Sequence, residues 1–138
     1  MIYLLDTNVL SEPIKAVPDR QVLIRMEQHQ SDIVTATLVL HELYYGCYRL
    51  PLSHKRNLIE RYLGEVITPT IPLLPYDEKA AEYHARERAR LQSAGKTPSF
   101  VDGQIAAIAH IHGLVLVTRN LADFSHFSEL RVENWHSK

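Results

Sequence analysis

The chain has 138 residues, 46% of them apolar and 22% charged, with a formal net charge of −1. That length and balance predict one self-folding domain over residues 1–138, and they exclude both wholesale disorder and a strongly basic body that coats nucleic acid indiscriminately. The lone cysteine, Cys47, excludes an internal disulfide and a CxxC zinc knuckle, which fits a reducing cytoplasm. The opening MIYLLDTNVL has no basic leader and meets Asp6 after four apolar residues, so a buried strand is expected there, with no signal peptide and no membrane association.

In chain order, residues 2–5 predict a first strand, followed by a polar Thr7-Asn8 turn and a short helix cut by Pro13. Residues 19–29 predict a second helix, and the β-branched run at 33–36 a second strand. Thr37 has the chemistry of an N-cap for an amphipathic helix to about residue 49, with Leu40, Leu43, Tyr44 and Cys47 on its apolar side. Ser53 is expected to cap the next helix, which should end before Thr68-Pro69 and complete a helical hairpin. After a brief extended run in TIPLLPYD, Asp77 and Glu78 open a long charged helix ending at Gly95. Ser99 caps another, with Asp102 as a capping-box partner, and Gly113 stops it. LVLVT at 114–118 is the clearest strand, and a last short strand is expected near 130–132. Strands alternating with helices predict an α/β sandwich around a mainly parallel sheet.

In such sheets ligands bind beyond the carboxyl ends of the strands. Asp6 directly ends the first strand, and Asp123 lies shortly past the one closing at Thr118. Asp102 opens a helix, near its positive dipole end, while Glu42 is an isolated acid in an apolar stretch and is expected to line a polar cleft. Each has a duller role open to it: N-cap, half of a capping box, loop residue, exposed helix position. Four carboxylates brought together from four segments would repel by roughly 4 kcal/mol per pair at about 4 Å, so a cation would be required. Oxygen-only ligands with retained waters suit Mg²⁺ or Mn²⁺, and the chemistry such ions serve is phosphodiester hydrolysis. Any grip on RNA must be local; in residues 79–96, Lys79, Arg86, Arg88, Arg90 and Lys96 outnumber Glu82 and Glu87.

LLDTNVL at the start, HEL at 41–43, DGQIAAIA at 102–109 and TRNLADF at 118–124 occur in an order that resembles the PIN domain, and the DTNVLSEP start and near-terminal Trp135 resemble the VapC and FitB toxins. The resemblance implies a PIN-like three-layer α/β/α sandwich and a Mg²⁺- or Mn²⁺-dependent endoribonuclease. Its catalytic acids would be Asp6, Glu42, Asp102 and Asp123, with Asp6 and Asp102 as main metal ligands and Glu42 and Asp123 completing the shell. Thr7, Asn8, Thr118 and Asn120 would orient carboxylates or phosphate. It also implies a cytoplasmic homodimer held by a cognate antitoxin lying over the helical hairpin at 37–67, whose other end would bind DNA, so that association with DNA is indirect.

Other signals carry less. His110 and His112 form an HxH pair, but residues two apart on a helix face different ways and no third ligand has matching spacing. Cys47 reads as a packed thiol, and Tyr44, Tyr45 and Tyr48 as core or dimer packing ahead of base stacking. A phosphoacceptor receiver would need an acidic pair after strand one and a late lysine; a DxD phosphatase fails because position 8 is Asn. The remaining alternative is an inactive PIN fold acting as a binding module in a DNA-bound repressor complex.

Overall fold

The computed structural model describes residues 1–138. Its elements in order are β1 (Tyr3–Leu5), α1 (Thr7–Leu10), a 3₁₀ turn (Glu12–Ile14), α2 (Arg20–Gln28), β2 (Ile33–Ala36), α3 (Thr37–Tyr48) and α4 (His54–Arg61). A π-helical stretch (Tyr62–Ile67), α5 (Thr68–Thr70), β3 (Leu73–Leu74), α6 (Glu78–Ser93), α7 (Phe100–Ile111), β4 (Val115–Val117), α8 (Leu121–Phe124) and β5 (Val132–Glu133) follow. The five strands are all parallel, in the order β3-β2-β1-β4-β5. The chain steps outward from β1 to β3, then crosses to β4 and steps the other way to β5. Right-handed crossovers taken in opposite directions put helices on opposite faces, which makes the three-layer α/β/α sandwich.

Double coverage explains the strand composition. Leu4, Leu5, Val34, Ala36, Leu116 and Val117 are almost wholly buried, as strands with helices on both faces require. Trp135, past the last strand, packs edge-on against Tyr3 with ring centroids 5.1 Å apart and closes that side of the core. The tail is further tied by Glu12, a buried carboxylate that accepts the Asp19 N–H (2.8 Å), lies 2.8 Å from Lys15 Nζ and pairs with His136 Nε2 at 3.2 Å.

Two helix boundaries differ from the expectation. Thr37 is already inside α3; Ala36 holds the cap position and makes no side-chain hydrogen bond, because β2 runs directly into the helix without a turn. The second arm of the hairpin does not end before Thr68-Pro69. It widens into the π-helical stretch and continues through Pro69 to Thr70. In a regular α-helix the proline ring would strike the carbonyl four residues back; the wider i→i+5 turn of the preceding stretch makes room for it. The hydroxyls of Thr68 and Thr70 donate to the carbonyls of Leu63 and Val66.

Candidate active site

β1 and β4 are neighbours at the place where the strand order reverses, the point at which open parallel sheets leave a crevice. Leu5 is in register with Val117, so Asp6 and Thr118 emerge side by side. The Asp6 N–H donates to the Val117 carbonyl at 2.9 Å, extending the ladder by one residue. Its side chain is buried and fixed twice: Oδ1 caps α1 by accepting the Thr7 N–H (2.8 Å), and Oδ2 accepts the Thr118 hydroxyl (2.9 Å). Thr118 Oγ1 in turn accepts the Asn120 N–H at 3.1 Å and lies 3.5 Å from Asn8 Nδ2, while Asn8 Oδ1 accepts the Arg119 N–H at 3.0 Å. The Asp6–Thr118 bond and the Asn8 contacts thus tie the loop after β1 to the loop after β4, while the backbone N–H groups of Thr7 and Asn120 brace Asp6 and Thr118 within their own loops.

Asp102 arrives from a third direction, on the first turn of α7. Ser99 Oγ accepts the Asp102 N–H (3.1 Å), but the carboxylate does not reach back to the Ser99 N–H, so the capping box is only half made and the acid is left for the crevice. Asp123 lies exposed on the first turn of α8, between Asn120 and the buried Phe124. The three are near enough for their charges to act on one another. Burial pushes the Asp6 carboxyl above its usual range against the hydrogen bonds from Thr7 and Thr118, and the charge of Asp123 adds to the rise. Asp102 is raised as well, by burial first and then by the charges of Asp6 and Asp123, with Ser99 opposing. None of the three has a basic side chain in ion-pair contact.

Glu42 stands differently. The buried stripe of α3 is Val39, Leu43 and Cys47, and Glu42, one residue before Leu43, is turned to solvent with no hydrogen bond or ion pair. It does not line a buried polar cleft, and as the side chains stand no three acids close to the spacing of a formed metal cage.

A family model described as PIN domain matches residues 3–130. The chain belongs to the PIN-domain family. Among relatives of this PIN domain, toxin FitB of Neisseria gonorrhoeae is 32% identical over 136 residues, spanning 96% of this chain and 98% of its own. Ribonuclease VapC2 of Haemophilus influenzae (strain ATCC 51907 / DSM 11121 / KW20 / Rd) is 34% identical over 135 residues, at 96% and 97% coverage. Among solved structures, DNA-bound VapBC from Salmonella typhimurium superposes with a TM-score of 0.85 at 30% identity, covering 98% of both chains.

The acids of the PIN domain fit a hard divalent cation by their chemistry. Both oxygens of Asp6 are engaged by one donor each, which leaves each a free lone pair, and Asp102 and Asp123 bring further oxygen donors with no cation of the protein's own. Burial plus mutual repulsion, uncompensated, is the electrostatic condition a bound Mg²⁺ or Mn²⁺ relieves.

Apolar periodicity alone did not point to the packed pair that lies next to Asp102 in the chain. The buried His84 ring, held by Tyr76 (Oη to Nδ1, 2.9 Å), packs directly against Gly103, where any Cβ would collide with it. The usable signal was a glycine inside a helix, about 1 kcal/mol worse than alanine unless something approaches its backbone.

Proposed function

We propose that this PIN domain is an endoribonuclease that hydrolyses RNA phosphodiester bonds with Mg²⁺ or Mn²⁺ as cofactor, and that it is the toxin of a toxin–antitoxin pair. The observation that carries the reading is that Asp6 ends β1 at the crevice between β1 and β4, with Asp102 and Asp123 near enough for their charges to act and no basic side chain in ion-pair contact with any of the three. The names toxin FitB and ribonuclease VapC2 at 32% and 34% identity support it. Asp6 and Asp102 are the principal ligands, Asp123 adds its charge from α8, and Glu42, turned to solvent on α3, would have to swing inward to complete the shell. A divalent ion there supplies Lewis acidity toward the phosphate oxygens and the attacking water.

The chain's own residues prepare that site. Thr118, by donating to Oδ2, and the Thr7 N–H, by donating to Oδ1, hold the Asp6 carboxylate in one orientation. Asn8, through its side chain, and Asn120, through its backbone N–H, fix Thr118 and the backbone around it, so a substitution at Asn8 is felt at Asp6. The partner of this chain in our reading is an antitoxin protein that lies over the helical hairpin at 37–67 and carries the DNA contact; a solved neighbour described as DNA-bound VapBC supports a complex on DNA. The toxin itself acts as a homodimer in the cytoplasm.

Antitoxin-free protein incubated with total RNA in Mg²⁺ or Mn²⁺, with EDTA and Asp6→Asn as controls, tests the reading. Discrete cuts that need both metal and Asp6 are expected. Folded protein that cuts nothing in either metal would overturn it in favour of a binding module, and Asp6→Asn protein that cuts as well as the wild type would remove Asp6 and its neighbours from the chemistry.

A further inference from the structure

A cleft of about 540 Å³ opens beside the acids. Asp102 and Asp123 form part of its wall, Asp6 does not reach it, and it runs outward between the loop after α6 and the segment after α8. Leu91 and Phe127, both buried, supply an apolar floor; Lys96 and the exposed His126 stand at its sides. We propose that this cleft is a subsite for one unpaired nucleotide next to the scissile bond, with its phosphate at the Lys96 ammonium and its base against the His126 ring. The assignment rests on the nuclease reading for the meaning of "scissile", and on the cleft's own construction for the rest.

That construction is rigid on both sides. The His126 wall is clamped from α6: Arg90 Nη2 donates to the His126 carbonyl (2.7 Å), the Tyr83 hydroxyl to the Ser128 carbonyl (2.8 Å), and Glu87 Oε1 accepts the Ser128 N–H. The opposite wall starts at Gly95, whose φ of 71° turns the chain out of α6, and Lys96 N–H closes on the Leu91 carbonyl at 2.8 Å. Lys96 has no carboxylate in ion-pair contact, whereas Arg86 and Arg90 are engaged by Glu82 and Glu87. A fixed pocket with an apolar floor, an uncommitted ammonium and an exposed imidazole matches the parts of a nucleotide. Its volume admits one nucleotide and no duplex, so the substrate strand must be single where it enters.

The test is binding of a fluorescein-labelled, mixed-sequence single-stranded RNA octamer to protein carrying Asp6→Asn, which prevents cutting, followed by anisotropy across a salt series. Lys96→Ala is expected to weaken binding about fivefold and to lower the slope of log Kd against log salt by about 0.7, the loss of one phosphate contact on a single strand. His126→Ala should weaken it by a similar factor with the slope kept. Arg20→Ala, an exposed cation at the start of α2 and outside the cleft, should change neither. In cleavage by otherwise wild-type protein, Lys96→Ala should raise KM and spare kcat. Octamer binding indifferent to both cleft substitutions, absent altogether, or equal for the same octamer in duplex form would overturn the subsite. Cleft-dependent binding by a protein that never cuts would sustain the subsite and sink the nuclease.

Discussion

Glu87 on α6 and Asp6 at the end of β1 are both shielded from water, yet only the first has been given a cation. Glu87 receives Arg90 through two hydrogen bonds (2.8 and 3.0 Å) and accepts from Ser128 N–H and hydroxyl. The Arg90 guanidinium above all holds its carboxyl down at about 2, against the upward push of burial. Glu12 is treated alike: burial raises it, but Lys15, the Asp19 N–H and His136 outweigh that and leave it below its usual range. Asp6 and Asp102 are raised instead, because no basic group offsets their burial and their neighbours are other acids. A structural carboxylate carries its partner within the fold; a carboxylate left in want of one marks a place where a cation comes from outside.

The sharpest way to break that contrast is to remove the same charge from each region without changing volume. Glu87→Gln strips Arg90 of its anion and loosens the clamp on Ser128, and should lower the unfolding free energy by about 2 kcal/mol in urea titration. Asp102→Asn, measured in EDTA, should leave stability equal or higher, since it relieves repulsion from Asp6 and Asp123. A destabilised Asp102→Asn protein would mean that its charge is already satisfied by the chain.

Gly103→Ala comes next and separates the acid from its support. The added methyl must displace the buried His84 ring, an overpacking that costs about 1–3 kcal/mol. Because the collision is with one side chain, His84→Ala should reduce the cost of Gly103→Ala in a double-mutant cycle. Strict additivity would show that the glycine serves some other purpose.

These residues also mark how far the sequence could be read. Asp6, Asp102 and Asp123 were legible because they follow strands or open helices, positions fixed by local pattern, and the strands themselves were legible as continuous apolar runs. Glu87 was counted only as an offset within a basic run. Its place on the buried stripe Ala80, Tyr83, His84, Glu87, Leu91 was hidden because that stripe is half polar, so apolar periodicity did not show it. His84 and Glu12 were missed for the same reason, since a buried polar side chain is recognisable only once its partner, distant in sequence, is known. The passage of a helix through Pro69 depended on a widened π-helical turn that no propensity encodes.

The smallest expected effect tests the contrast by pH. Asp102 has a folded pKa above its unfolded value of 3.8, so its contribution to stability is fully present below that value and fades as pH rises through the folded one. Glu87 has the opposite sign: its contribution is full above 4.5 and is lost as pH falls toward about 2. Between pH 4 and 7 in EDTA, the difference in unfolding free energy between wild type and Asp102→Asn should therefore drift against the wild type, because only the wild type must ionise the buried acid. The matching difference between wild type and Glu87→Gln should stay nearly level over most of that range and shrink only on further acidification. Saturating Mg²⁺ should remove the first drift and leave the second untouched, since the ion compensates the acids between β1 and β4 and has no business on α6. A drift that survives Mg²⁺ would locate the strain of Asp102 in its burial alone and deny the cluster its cation.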